Sequence, residues 1–478
     1  MICCLCEYTK LYVCVYLCRV KKSLNKEILR LSLPSILANI TVPLVGMVDT
    51  AVAGHLPGAD GAGAATFIGA ISVGAMLFNL LYWNFGFLRT GTGGLTAQAF
   101  GRGDMGDCAR IGVRAVLLAF IIAAGVLILQ WPFERLGMWI VDSSEGVESF
   151  AAQYFFIRIW AAPATLGLMA FSGWFVGMQD SMSSMWKDLI VNAVNIVASV
   201  LLALGCGNWD GLGFAGVAWG TVIAQYSGLL FCLAVSAIKY RRVFCTFRKE
   251  DLAGLFSGDG MHGFFRMNVN LFGRSVCFTL IYVGYTLIAA KYTDVMLACS
   301  SVMMQLLMIF SYFTDGFAYA GEALTGRFIG AGDEDLLRRT VKYIFVWSMS
   351  IAVLFVGLYM VGGVPVLKLL TSDEAVVEAC RQFLPWLILM PPLGCAAFTW
   401  DGIFLGATAS RAICMAMAWA AAGFFAVWSV AKYMLVAPAA GTPGYDALAI
   451  HCLMAAYFVH LLARTIYLTY RYRRDIRI

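Results

Sequence analysis

The sequence predicts an all-α polytopic membrane protein, with twelve transmembrane helices in two pseudo-symmetric six-helix lobes. Three observations carry that prediction. The 478 residues are 61% hydrophobic and only 13% charged, where an ordinary soluble domain carries about 25% charged residues. About a dozen apolar runs reach the ~20 residues a membrane-crossing helix needs. A segment of the first half recurs in the second.

The apolar runs begin near residues 27, 63, 107, 150, 184, 213, 264, 297, 340, 376, 410 and 447. Backbone groups in hydrocarbon must pair within their own segment, so these runs are helices. Strands of a membrane β-barrel would alternate polar and apolar residues, and these runs do not. The charged stretch 239–260 is a linker between an N-lobe (25–238, helices 1–6) and a C-lobe (261–470, helices 7–12). Residues 1–24 are expected to be a disordered N-terminal extension, without the small-residue cleavage site of a signal peptide. Residues 471–478 form a basic tail.

Charge sets the expected topology. One set of loops holds Lys21, Lys22, Lys26, Arg30, Arg102, Arg110, Arg114, Lys239, Arg241, Arg242, Arg248, Lys249, Arg338, Arg339, Lys342, Arg471, Arg473, Arg474 and Arg477; the other holds little beyond Arg135, Lys291, Lys368 and Lys432. The positive-inside rule places the first set and both termini in the cytoplasm, in a cytoplasmic (inner) membrane. The net charge of +6 is spread over loops, so it is no nucleic-acid signal. Most of the fifteen cysteines, such as Cys232, Cys277, Cys395 and Cys414, lie singly in apolar runs, where Cys acts as a small hydrophobe. Cys3, Cys4, Cys6, Cys14 and Cys18 near the N-terminus lack the paired spacing of a metal site.

The repeat aligns Leu95-Thr96-Ala97-Gln98-Ala99-Phe100-Gly101-Arg102-Gly103-Asp104 with Leu324-Thr325-Gly326-Arg327-Phe328-Ile329-Gly330-Ala331-Gly332-Asp333, an offset of 333 − 104 = 229 residues. Each Gly-x-Gly-Asp is expected to stop one helix, with Asp104 or Asp333 capping the next. Six helices per half give both halves one orientation, a parallel-repeat transporter architecture with its site between or within the halves. The Gly-rich Thr90–Gly94 lacks the Gly-Lys-Ser/Thr ending of a phosphate loop. It reads as close helix packing through small residues.

Ionisable residues inside the membrane cost at least ~2.5 kcal/mol each and point to function. Asp49 sits late in the first apolar run. The fifth helix carries Asp188, Asn192, Asn195 and Ser199 at spacings of 4, 3 and 4, all on one face. Asn195, Ser199 and Asp49 are expected to line one outward cavity, though asparagines also serve as plain bonds between helices. Pro34 and Pro43 can bend the first helix. In the second half, Asp315 and Glu322 share a face of the eighth helix, Arg274 lies in the seventh and Asp401 in the tenth. Buried carboxylates pair with arginine, so an Arg274–carboxylate pair is expected, either structural or part of a cation path. Arg89 and Arg158 pair or snorkel. His55, His262, His451 and His460 are scattered, and no zinc motif, catalytic triad or nucleotide loop occurs. No metal and no cofactor are therefore expected, and transport would draw on an ion gradient.

These residues resemble the multidrug and toxic compound extrusion (MATE) family in its DinF-like branch, over roughly 26–470. The carriers are Leu33-Pro34, Asn39–Leu44, Val48–Leu56, Gly94–Gly101, Asp315–Ala323 and Asp401–Thr408. The resemblance implies a twelve-helix antiporter whose lobes form a V and rock between outward-open and inward-open states. A proton, in some members Na⁺, enters as a small organic solute, often cationic and lipophilic, leaves. Asp49 resembles the coupling carboxylate, and its protonation would reorganise the bent first helix. Asn195 matches its polar partner, Thr221 a sixth-helix lining position, and Asp401 an acidic position used for cations in the NorM-like branch. The family often has an aspartate where this chain has Ser199. A carboxylate pair sharing a proton is then missing from the N-lobe, and Asp49 acts nearly alone. Na⁺ prefers several oxygen ligands, so the coupling ion is expected to be H⁺. The protein is expected to act as a monomer in the bilayer.

Two other readings stand beside this one. A lipid-linked saccharide flippase of the same superfamily would line its cavity with several basic residues, whereas the membrane arginines read here are Arg89, Arg158 and Arg274. A membrane-embedded enzyme would need a dyad or metal site, for which Asp315 with Glu322 is the one acidic pair.

Overall fold

A computed structural model describes residues 2–56, 63–141, 144–245, 259–370 and 374–476. Among them are twelve helices long and apolar enough to cross a membrane: α1 Ser23–Gly54, α2 Ala64–Gly101, α3 Met105–Ile128, α4 Glu145–Gly177, α5 Ser181–Leu204, α6 Phe214–Ile238, α7 Gly263–Ala289, α8 Asp294–Ala331, α9 Glu334–Lys368, α10 Leu384–Gly406, α11 Ser410–Ala439 and α12 Tyr445–Asp475. The described residues thus follow the helical, twelve-span reading.

Three boundaries differ from the sequence expectation. The helix that contains α1 begins at Ile2, so the backbone of the expected disordered extension is helical. No Gly or Pro interrupts residues 2–33, and nothing local ends the helix. At the other end α12 runs to Asp475, where Arg471 closes an i,i+4 pair at 2.6 Å, so most of the expected tail is helix. The tenth span starts at Leu384, not near 376. The residues before it form a separate amphipathic helix, Glu374–Arg381, which buries Val376, Val377 and Cys380. Pro385 then opens α10 at its first turn, where a missing N–H costs nothing. Most of the 239–260 linker lies outside the described residues.

Two spans are broken in mid-course. α2 is Ala64–Asn84 followed by Phe87–Gly101. α4 is Glu145–Arg158, one tight turn Ile159–Ala161, then Ala162–Gly177. α1 stays helical through Pro34 and Pro43, and Thr41 donates to Ala38 O at 2.7 Å just below Pro43.

The repeat stops behave as expected. Asp104 accepts from Asp107 N at 2.8 Å, and Asp333 from Leu336 N at 2.8 Å. Gly103 and Gly332 take φ of 74° and 72°, the left-handed region that favours glycine.

The same 229-residue offset orders the contact between the lobes. A Cβ on Gly101 would lie 2.0 Å from Arg327 O, and a Cβ on Gly330 2.1 Å from Gln98 O. Position 98 corresponds to 327, and 101 to 330. Within each lobe the rule recurs: Gly173 abuts Arg89 O at 2.0 Å, and its counterpart Gly402 abuts Ala318 O at 2.1 Å. Gln179 and its counterpart Thr408 are the two non-glycine residues with positive φ among the described residues. Both serve the lobe interface. Gln179 Nε2 donates to Ala323 O at 2.8 Å, and Thr408 Oγ1 accepts from Gln98 Nε2 at 3.2 Å. Reciprocal contacts of this kind follow from a pseudo-two-fold axis, because residue i meets j wherever i′ meets j′.

These contacts join the lobes at the end that carries the basic loops. α1 spans both sides of the joint. Its Ser32–Ile36 stretch packs on Gly316 of α8, and Asn39 donates to Tyr312 O at 3.2 Å. Its later part packs against α2 and α5 of the N-lobe. Gly101→Ala is expected to loosen this end, since a methyl group meets backbone that has no rotamer to give. Overpacking of this kind costs roughly 1–3 kcal/mol. A fall in thermal midpoint, matched by Gly330→Ala and not by Gly125→Ala, whose Cβ meets open space, checks this.

Candidate functional site

Asp49 lies in α1 near its end away from the basic loops and is 5% exposed. Its Oδ1 is buried with no hydrogen-bond partner among the described residues. The groups that act on its carboxyl are the Arg158 guanidinium and the Ser199 hydroxyl. Arg158 stands where α4 breaks, at the carbonyl end of its first helix, which favours a cation. It donates to Tyr154 OH at 2.7 Å and lies over the Phe78 ring at 4.7 Å. Arg158 is thus half-buried and engaged inside the lobe.

The α5 stripe divides its work. Asn195 Nδ2 donates to Thr221 Oγ1 at 2.9 Å, joining α5 to α6. Its Oδ1, like that of Asp49, is buried without a partner among the described residues. Ser199 donates to Val217 O at 3.5 Å and is fully buried. Asn195, Ser199 and Thr221 thus form one buried α5–α6 seam, and Ser199 brings that seam to the Asp49 carboxyl. Asn192 is elsewhere. It donates to Thr41 of α1 at 2.6 Å and ties α5 to α1 between the two prolines. Asp188 pairs with Lys187 at 2.6 Å, and Lys187 also donates to Ser172 at 2.5 Å.

The second group of charges surrounds α8 and α10. Asp401 Oδ2 accepts from Arg274 at 2.6 Å and from Arg464 at 2.7 Å. The expected Arg274–carboxylate pair is present, as part of a triad. Glu322, fully buried, does not turn to Arg274. It faces Arg89 of α2 at 3.5 Å, and Arg89 lies over the Tyr319 ring at 4.1 Å. This ion pair crosses between the lobes. Glu322 is also the repeat counterpart of Gly93 (322 − 93 = 229), and a Cβ on Gly93 would strike Glu322 Oε1. The pair therefore sits on the pseudo-two-fold axis, and only a glycine at 93 leaves room for it. Asp315 shares the electrostatic field of Arg89, Asp401 and Arg274.

The sequence reading passed over Arg464, Lys187, Tyr154, Gln98 and Gln179. Arg464 and Lys187 were visible as charges inside apolar runs; the two glutamines and Tyr154 carry no such signal. No group of three or more His, Cys, Asp or Glu side chains is placed to hold a metal among the described residues.

A model of the MatE family matches residues 34–201 and 271–430, one match in each lobe. The chain belongs to the MatE family. It is 34% identical over 406 residues to DNA damage-inducible protein F of Escherichia coli (strain K12), covering 84% of this chain and 85% of that protein. It is 24% identical over 390 residues to a probable multidrug resistance protein NorM of Caulobacter vibrioides, covering 79% and 76%. A solved structure titled as the outward-facing conformation of a multidrug resistance MATE family transporter superposes with a TM-score of 0.81 at 16% identity, covering 95% of this chain and 97% of that one. This MatE protein is a multi-pass membrane transporter, not an enzyme.

Proposed function

We propose that this MatE protein is a proton-driven antiporter that exports small organic, often cationic and lipophilic, solutes across a cytoplasmic membrane, acting as a monomer with both termini in the cytoplasm. The observation that carries the reading is Asp49 Oδ1, a buried carboxylate oxygen with no donor among the described residues. Such an atom costs ~1–3 kcal/mol while it stays unpaired. A proton removes that cost.

The geometry favours H⁺ over Na⁺. A bound Na⁺ needs several oxygen ligands, and here the Arg158 cation already acts on the Asp49 carboxylate. Asn195 Oδ1 is a second buried acceptor without a donor among the described residues, in the seam that Ser199 brings to Asp49. Proton loading removes the Asp49 charge from beside Arg158, which keeps Tyr154 and the Phe78 ring, and so changes what holds the outer part of α1 to the N-lobe. The other part of α1 packs on α8 of the C-lobe. A change at Asp49 therefore biases the joint between the lobes, and a two-state element biased by one proton suffices for exchange. With the basic-loop end in the cytoplasm, as this reading has it, a state closed at that end is the outward-open one.

The membrane cations Arg89, Arg274, Arg464 and Lys187 each face a carboxylate, which weighs against a phosphate-lined flippase cavity. Inverted membrane vesicles test the coupling. Solute uptake is expected to follow an imposed pH gradient in Na⁺-free buffer and to collapse with a proton–potassium exchanger. Uptake driven by a Na⁺ gradient alone would overturn the proton reading.

A further inference from the structure

A second cavity lies away from the Asp49 and Glu322 sites, on the lipid-facing side of the N-lobe at the basic-loop end. Its volume is about 610 Å³, within the range of ligand pockets. α3, α4, α6 and the short helix Arg241–Phe244 wall it, with Phe120, Phe171, Trp174, Leu233 and Phe244 among its apolar lining. Along α3 the lining runs from Gly112 to Phe120, a depth of roughly 12 Å at 1.5 Å per residue. That suits an extended alkyl chain.

Two polar features break the apolar wall. Ser236 lines the cavity, is 8% exposed, and its Oγ has no partner among the described residues. A helical serine ordinarily returns its proton to the carbonyl one turn back, so this hydroxyl is left for something else. Arg241 also lines the cavity and is exposed, and its side chain makes no ion pair or hydrogen bond among the described residues. Its neighbour Lys239 is not free, because Asp180, the N-cap of α5, holds it at 2.6 Å. Burial pushes the Asp180 carboxyl up, but hydrogen bonds from Lys239, Ser183 and Tyr240 outweigh it and hold it below the usual carboxylate range. Asp180 thus holds Lys239, and Arg241 is the cation left facing the cavity.

We propose that this cavity is a binding site for one anionic phospholipid of the basic-loop leaflet, its acyl chain between α3, α4 and α6 and its phosphate on Arg241 and Ser236. The bilayer supplies such a ligand at this depth, and basic pockets between membrane helices hold anionic headgroups. The site is distinct from the transport path and does not depend on which ion drives transport.

Native mass spectrometry of the full-length protein, released from vesicles of equal phosphatidylglycerol and phosphatidylcholine, tests this. One retained phosphatidylglycerol is expected. Arg241→Gln is expected to lower its retention about tenfold with phosphatidylcholine unchanged, and Arg241→Lys to restore most of it. Ala237→Phe, at an exposed wall position, is expected to block retention by filling the slot without disturbing the core. Unchanged retention in both Arg241→Gln and Ala237→Phe would overturn the site. Displacement by oleate but not by added phosphatidylglycerol would overturn the phospholipid assignment.

Discussion

Asp49→Asn is expected to reduce proton-driven export by at least about tenfold while leaving the fold as stable as before. The two readouts separate because the substitution removes different things. Function loses the titrating group. Stability loses a buried charge, whose cost in a membrane is ~2.5 kcal/mol or more, together with its attraction to Arg158. Those terms oppose each other, so a change within about 1 kcal/mol is expected. Arg158 keeps its bond to Tyr154. Asp49→Glu, which retains a titratable carboxyl, is expected to recover part of the activity. The measurement is efflux from energised cells, paired with thermal unfolding in detergent. Loss of export together with a large fall in stability would make Asp49 a structural residue only.

Glu322→Gln is expected to open the basic-loop end. In the Glu322–Arg89 pair Glu322 is fully buried and Arg89 is 21% exposed, and the pair joins α8 to α2 across the axis. Breaking one partner of a buried pair costs up to ~3–5 kcal/mol; the neutral amide keeps shape and hydrogen-bonding capacity, so roughly 1–3 kcal/mol is expected. Every ~1.4 kcal/mol shifts a two-state population tenfold. Spin labels on Arg102→Cys and Asp335→Cys, in a background with the exposed Cys206 and Cys245 replaced, read the separation of the lobes. Longer distances should dominate in Glu322→Gln. Replacing both partners with Met should restore the short distance, because apolar pairs of similar volume can match a buried ion pair. An unchanged distance distribution in Glu322→Gln would remove the pair from the gate.

Much of this arrangement was legible in the sequence, and the limits are physical. Span number and most starts followed from apolar length. The Asp104 and Asp333 caps followed from a local rule, since an N-cap reaches only three residues ahead. The α5 stripe correctly put Asn195 and Ser199 on one face, yet Asn192 turned to Thr41 of α1. A helical face spans more than one neighbour, and spacing does not say which neighbour each residue meets. Arg274 found Asp401 as expected, but the second arginine, Arg464, lies 63 residues from it. Sequence shows a buried charge and hides its partner. The Arg89–Glu322 pair was nearer to hand. Extending the repeat alignment two residues before Leu95 places Gly93 opposite Glu322, where a bulky acid in one half meets a glycine in the other.

In the proposed cycle Asp49 gives up its proton when solute binds. Proton release on mixing purified protein with a transported cation, read by a pH dye in weakly buffered detergent solution, tests it most directly. Release of about one proton per bound solute is expected in the wild type and none in Asp49→Asn, with solute still bound. Equal release from Asp49→Asn would contradict it and move the coupling group to another carboxylate.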